Sequence, residues 1–209
     1  MARTTLATLI QRVRELAAAG TADYTIGTAA YWSDDAVQAV LDRNRLDFVD
    51  ELLQPLREYD GGGTARYYVH QSTHGNLEAT DGGTAILYVR RSSGARMGTA
   101  DYGVDTQAGR ITFVADTGGS AFYLTARSYD VYAAAADIWR QKAGQVASRF
   151  DFTADGASFK ASQLAAQYER QADACSALAT FGTGAAGLRT STMYRSDVMV
   201  YGYDDDPAE

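Results

Sequence analysis

Apolar residues near the start of the chain recur with helical spacing. In "RTTLATLIQRVRELAAAG", Leu6, Ile10, Val13 and Ala17 share one face and Leu9 and Leu16 flank it, which predicts an amphipathic first helix. Gly20 follows as its stop signal. A second helix is expected in "YWSDDAVQAVLDRNR". Ser33 can cap its first turn, Asp34 and Asp35 complement the positive end of its dipole, and Val37, Val40 and Leu41 form its inner face. Past Arg45 the pattern is ambiguous. "LDFVDELLQPL" suits either a continued helix or an extended run that reaches Pro55 and the flexible "DGGG".

From Ala65 to Arg127 the period shortens. "RYYVHQ", "AILYVRR", "RITFVAD" and "AFYLTAR" are runs of β-branched and aromatic residues separated by glycine-bearing turns, so about four strands are expected in a small antiparallel sheet. "DTQAGRITFVADTGGSAFYLTAR" reads as a hairpin with "DTGGS" as its loop. "SYDVYAAAADIWRQKAGQVASRF" returns to helix: Tyr132, Ala136, Trp139, Ala143 and Val146 descend one face, and Val131, Ala135 and Ile138 widen it. Its four consecutive alanines let another backbone approach closely. A last helix in "KASQLAAQYERQADACSALATF" is expected to bury Leu164, Tyr168, Cys175 and Leu178. The remainder, "GTGAAGLRTSTMYRSDVMVYGYDDDPAE", has no helical period and reads as an arm that docks elsewhere or stays disordered.

These patterns predict an α+β protein. A helical core of about four helices comes from residues 1–56 and 128–181, a small antiparallel β domain is inserted at residues 57–127, and residues 182–209 form an extended C-terminal arm. With 209 residues, 46% of them apolar, the chain can build a packed core. Its 14 tyrosines suit strand edges and surfaces buried on assembly. The net charge of −7, without a dense Lys/Arg run, argues against tight nucleic-acid binding. Cys175 is the single cysteine, which excludes an intrachain disulfide and suits a reducing compartment. "MARTTLATLI" lacks a long apolar signal-like segment and no run is long enough to span a bilayer, so a soluble protein made in the cytoplasm is expected.

Candidate chemistry is sparse. Gly182, Gly184 and Gly187 match a dinucleotide-loop spacing, but they follow a helix instead of a strand and read as a helix stop and hinge. His70 and His74 have a spacing that zinc enzymes use on helices; here they end a β-run and are expected to be solvent-facing loop histidines. Arg90, Arg91 and Arg96 fall in one expected loop, which suits solvent more readily than a phosphate or an acidic partner. Cys175 is expected to be a small buried hydrophobe. No serine or threonine has a histidine–carboxylate elbow, so no enzyme activity, metal or cofactor is expected.

The order of signatures carries more. "WSDDAVQAVLDRNR", "GRITF", "YDVYAAAADIW" and "DFTADGASFKASQLAAQYERQADACSALA" together resemble the head–tail connector, or adaptor, proteins of long-tailed bacteriophages and prophages, over residues 33–180. The more specific parts are the "YD-x-x-AAA" helix start, Tyr129 to Ala135, and the "DG-x-SF-x-x-SQ" turn, Asp155 to Gln163. The chain departs from the smallest members in its larger β-insertion and tyrosine-rich tail.

The resemblance implies a structural protein of the virion neck, made in the host cytoplasm. It would form a homo-oligomeric ring, typically dodecameric, beneath the portal protein. The ring extends the DNA channel, lets DNA pass without specific binding, and offers a platform to stopper or tail proteins. In this setting Asp155 and Gly156 would make a turn, with Ser158 or a nearby polar group capping the last helix. Phe152 and Phe159, with Phe150, would pin the long helices into a hairpin that either sets the subunit's wedge shape or serves only as an interhelical loop. The arm's alternation suits an added strand or clamp on the portal, with Met193, Tyr194, Val198, Val200 and Tyr201 as anchors and Arg189 and Arg195 as charge partners. Rival expectations are a glycan- or surface-binding module built on the β-insertion, and a small hydrolase with a noncontiguous site.

Overall fold

The fold is seen in a computed structural model that describes residues 2–20, 25–26, 29–147, 152–154, 157–159 and 161–180. A short 3₁₀ turn, Thr4–Leu6, leads into helix α1 (Ala7–Leu16), followed by the minimal pair β1 (Thr25–Ile26) and β2 (Ala29–Ala30) and by helix α2 (Asp34–Arg43). Strands β3 (Arg45–Leu52), β4 (Gln54–Tyr59) and β5 (Ala65–Gln71) come next, then the short β6 (Leu77–Glu78), β7 (Thr80–Asp81) and β8 (Thr84–Ala85). The β region ends with β9 (Tyr88–Arg91), β10 (Tyr102–Asp105), β11 (Arg110–Phe113) and β12 (Phe122–Tyr129). Helix α3 (Val131–Ala147), the hairpin β13 (Phe152–Ala154) and β14 (Ala157–Phe159), and helix α4 (Ala161–Ala177) complete the order. Four α-helices and several antiparallel sheets make this a mixed α+β protein.

Helices α1, α2 and α3 share one core, and α4 packs on α3 through a smaller cluster of Val146, Ala161 and Ala165. Leu6, Ile10 and Val13 of the N-terminal segment, Val37, Val40 and Leu41 of α2, and Val131, Ala134, Ala135 and Ile138 of α3 are buried together around Trp32. Each such aliphatic side chain contributes roughly 1.5–3 kcal/mol through its removal from water. The alanine run of α3 is buried throughout, and this lets α3 contact α1, α2 and α4. Ser33 caps α2 as expected, its Oγ accepting from Ala36 N at 3.2 Å. The end of α1 is served from α3: Trp139 Nε1 donates to Leu16 O at 3.1 Å and Lys142 Nζ to Ala18 O at 2.9 Å. These donors satisfy carbonyls that a helix end leaves without partners.

The strands form two four-stranded antiparallel layers. One has the order β10-β11-β5-β4; in the other, β12 pairs with β3 on one side and with β6 and β9 on the other. Their inner faces share a second core in which Ile111 and Phe113 meet Val89, Phe122, Leu124 and Ala126.

Several expectations are corrected. The ambiguous stretch after Arg45 is strand, because β12 offers it a pairing edge, and the β structure therefore begins upstream of residue 57. The "RITF" and "FYLTAR" runs are not a hairpin: β11 pairs with β5 and β10, whereas β12 belongs to the other layer. Gly118 and Gly119, with φ of 61° and 75°, turn the chain between layers instead of between paired strands. The first helix ends at Leu16, before Gly20, and Ala18 just beyond it takes the left-handed conformation with φ 47°. Leu178 lies past the end of α4 and is exposed, so it is not a core residue.

Candidate functional site

No group of three or more His, Cys, Asp or Glu side chains that could hold a metal exists among the described residues. What stands out is a polar seam where the helical core meets the strands. Tyr129 ends β12 and Asp130 directly precedes α3. Asp130 Oδ1 accepts from Tyr132 N at 3.1 Å and Ala133 N at 2.9 Å, which caps α3. Its Oδ2 accepts from Thr180 N at 2.5 Å, so the same carboxylate ties the far end of the α4 segment to the start of α3. The Asp130 amide donates to Asn44 O at 3.0 Å, and Asn44 Nδ2 donates to Asp137 Oδ2 at 2.9 Å, which adds the end of α2 to the junction. This gives the "YD" opening of α3 a physical role.

Beside it lies a buried charge cluster. The Glu78 side chain is inaccessible to solvent and accepts from Tyr129 Oη at 2.7 Å and Thr5 Oγ1 at 3.1 Å. Arg3 and Arg127 approach it at 3.4 Å each. Arg127 also donates to Asp81 at 2.6 Å, and Arg3 pairs with Asp42. Burial, with the Glu78 carboxylate beside it, pushes the Tyr129 phenol well above its usual range. The Arg127 hydrogen bond holds Asp81 below the usual carboxylate range, and Asp81 in turn raises Arg127. Both Glu78 oxygens are occupied by donors of this chain, an arrangement suited to welding segments together instead of moving protons. No sequence signal foretold it, because residues 3, 42, 78, 81, 127 and 129 meet only through the tertiary fold.

His70 is a further correction. It is fully buried in β5, opposite Ile111 of β11, with Phe113 and Phe122 packed edge-on at ring separations of 4.9 and 5.4 Å. Burial lowers its pKa. His74 is half-buried, with Nε2 3.8 Å from Glu51, so the two rings serve different surroundings. Near His70, a cavity of about 240 Å³ opens between Phe113, Phe122 and Met97, bordered by Arg91, Asp101 and Asp116.

Of the expected site residues, Phe152, Ser158 and Phe159 fall in the β13–β14 hairpin, where Phe152 pairs with Phe159 and Thr153 with Ser158. Ser158 is thus a strand residue three positions before Ala161, so it does not occupy the residue directly preceding α4. Asp155, Gly156 and Phe150 lie outside the described residues, as do Gly182, Gly184, Gly187, Arg189, Met193, Tyr194, Arg195, Val198, Val200 and Tyr201. Arg90 and Arg91 stand on β9, not in a loop. Arg96 lies 3.7 Å over the Tyr88 ring, and Arg90 pairs with Asp50 at 3.3 Å. Cys175 is half-buried against the helical core, and burial pushes its thiol up. No described helix is long and apolar enough to cross a membrane. No protein-family model, curated protein or solved structure matches the chain.

Proposed function

We propose that the protein is a neck adaptor of a long-tailed bacteriophage or prophage: a non-enzymatic ring subunit that binds beneath the portal, lengthens the DNA channel and receives a stopper or tail protein. In this reading the strands from Arg45 to Tyr129 are an inserted β domain on a helical core, and residues 182–209 are an arm that grips the portal.

The ordered set of motifs carries the reading, and two of them have definite physical work. Tyr129 and Asp130 lock the start of α3 to Glu78, to the end of α2 and to Thr180. The "DFTADGASF" stretch contributes the paired strands that connect α3 to α4. A rigid junction and a fixed helix hairpin suit a subunit whose shape must repeat accurately around a ring. The net charge of −7 suits a wall past which DNA phosphates slide.

The test is light scattering after size exclusion, on the full chain alone and mixed with the portal ring of the same virus. A complex with about one copy per portal subunit is expected. A chain that stays monomeric in both runs, with a portal able to bind its other partners, would remove the adaptor reading.

A further inference from the structure

The "VRRSSGAR" stretch has no part in the adaptor reading, yet it is built into strand β9 and the turn that follows. Gly94 N donates to Arg91 O and Arg91 N to Ala95 O, each at 2.9 Å, and Arg90 bridges to Arg96. Gly94 has φ 83°, so this is a three-residue hairpin loop that ends on a left-handed glycine. Its closing bonds use neither the Ser92 nor the Ser93 amide, and both residues are exposed. Two backbone donors therefore remain available at the turn.

Three guanidiniums gather around it. Arg90 is positioned by a bulge in β3, where Val49 and Asp50 together oppose Thr125 of β12. Asp50 takes φ 52°, its amide donates to Thr125 Oγ1 at 3.1 Å, and its carboxylate meets Arg90 at 3.3 Å. Arg90 Nε is buried without a hydrogen-bond partner among the described residues. Arg90 and Arg96 both lie over the Tyr88 ring, 5.2 and 3.7 Å from its centre. Arg91 is exposed, and its guanidinium has no partner among the described residues. A depression of about 190 Å³ is lined by Asp50, Arg90, Arg91, Ser92, Gly94 and Tyr123. It sets two guanidiniums against one carboxylate, with Arg96 adding positive charge nearby, in a chain of net charge −7. Like charges this close repel one another, and an anion seated among them relieves the repulsion and gives Arg91 an acceptor. Guanidinium forks, backbone N–H groups and a serine hydroxyl are donors that match the several oxygens of a phosphate group.

We propose that this depression is a phosphate-binding site, in which Arg90 and Arg91 bracket the group while the Ser92 amide and hydroxyl and the Ser93 amide donate to its oxygens. Asp50 is a positioning residue that holds Arg90 in place for it. The chemistry recognised is common to a nucleic-acid backbone and to a free phosphate, and the experiment separates these two sources. The site rests on the turn and its arginines alone, and stands independently of the neck-adaptor reading.

The isotope-labelled full-length chain is titrated with inorganic phosphate and followed by NMR, with chloride balancing the ionic strength throughout. The Ser92, Ser93 and Gly94 amides are expected to shift along one saturating curve, and chloride alone to leave them in place. Arg91→Gln is expected to weaken phosphate binding by about tenfold or more. That guanidinium has no partner in the described chain, so the rest of the spectrum should stay unchanged. Ser92→Pro deletes one N–H donor at a turn position that suits proline, after a residue that is already extended. It is expected to weaken binding more than Ser92→Ala, which removes only the hydroxyl. Shifts that never saturate, or that Arg91→Gln and Ser92→Pro both leave unaltered, would overturn the site. Shifts of equal size beside every exposed arginine would overturn it as well. A short DNA duplex that moves the same amides at a phosphate-group concentration about tenfold lower would make a nucleic-acid backbone the source. A duplex that leaves the turn in place while inorganic phosphate saturates it would make a free phosphate the source. No portal is present in this experiment, so failure of the site leaves the adaptor reading to its own light-scattering test.

Discussion

His70 shows how one neutral side chain can make a β-layer sensitive to pH. Thr117 Oγ1 donates its single proton to Tyr67 O at 2.7 Å, so at its 2.9 Å contact with His70 Nε2 it must accept. The ring is therefore the Nε2–H tautomer, and buried Nδ1 has no hydrogen-bond partner. Protonation would place a charged N–H between Phe113 and Phe122, and for this reason the folded-state pKa lies below the ordinary 6.5. The sign follows directly. As pH falls below about 6.5, the unfolded chain takes up a proton that the folded chain refuses, so stability declines toward the depressed folded pKa. Stability measured by denaturant titration is expected to drop between pH 7 and pH 5, and His70→Phe to flatten that slope while lowering stability at pH 7. An unchanged slope in the variant would exclude His70 as the source. Asp60, Asp81 and Asp116, each held below 3.8 by hydrogen bonds, lose their contributions only at lower pH. In the sequence His70 looked like a loop residue because "RYYVHQ" runs into serine, threonine and glycine. Its burial depends on β11, a strand about forty residues downstream that no local pattern could have assigned to it.

The helices were legible from local chemistry, and the sheet partners were not. Leu6, Ile10 and Val13, or Val37, Val40 and Leu41, announce a buried stripe from within a single segment, and those stripes form the observed core. The run "RITF…AFYLTAR" carries true strand signals on both sides of a glycine turn, yet hairpin and layer-crossing connections share that lettering. Asp130 lies between these cases: its position before α3 is a readable cap signal, but its second oxygen serves Thr180, fifty residues away. Asp130→Ala strips the acceptor from Tyr132 N, Ala133 N and Thr180 N in a buried setting. The expected loss is about 1–3 kcal/mol of unfolding free energy. Asp130→Asn keeps a cap acceptor and should recover a good part of that loss. Equal losses in the two variants would mean that charge, and not cap geometry, holds the junction.

At the scale of the whole molecule, the described chain ends close to where it began to fold. Thr180 is fastened to Asp130, α4 packs on α3, and α3 supports α1, so the two ends of the described chain belong to one helical body. The described chain therefore ends at an anchored point. The lettering of residues 181–209 alternates and closes on "DDDPAE", which supplies apolar anchors and charge but no helical stripe. Deleting residues 185–209 keeps the Thr180 contact, and so should leave the thermal unfolding midpoint unchanged within about 2 °C. If the arm grips the portal, the same deletion should weaken portal binding by at least tenfold, because ordering on docking concentrates the contact in those residues. Light scattering of the truncated chain with the portal ring separates the two effects. Full binding by the truncated chain would move the portal contact to the helical body. A lowered midpoint together with lost binding would mean that the last residues complete the fold before they meet any partner.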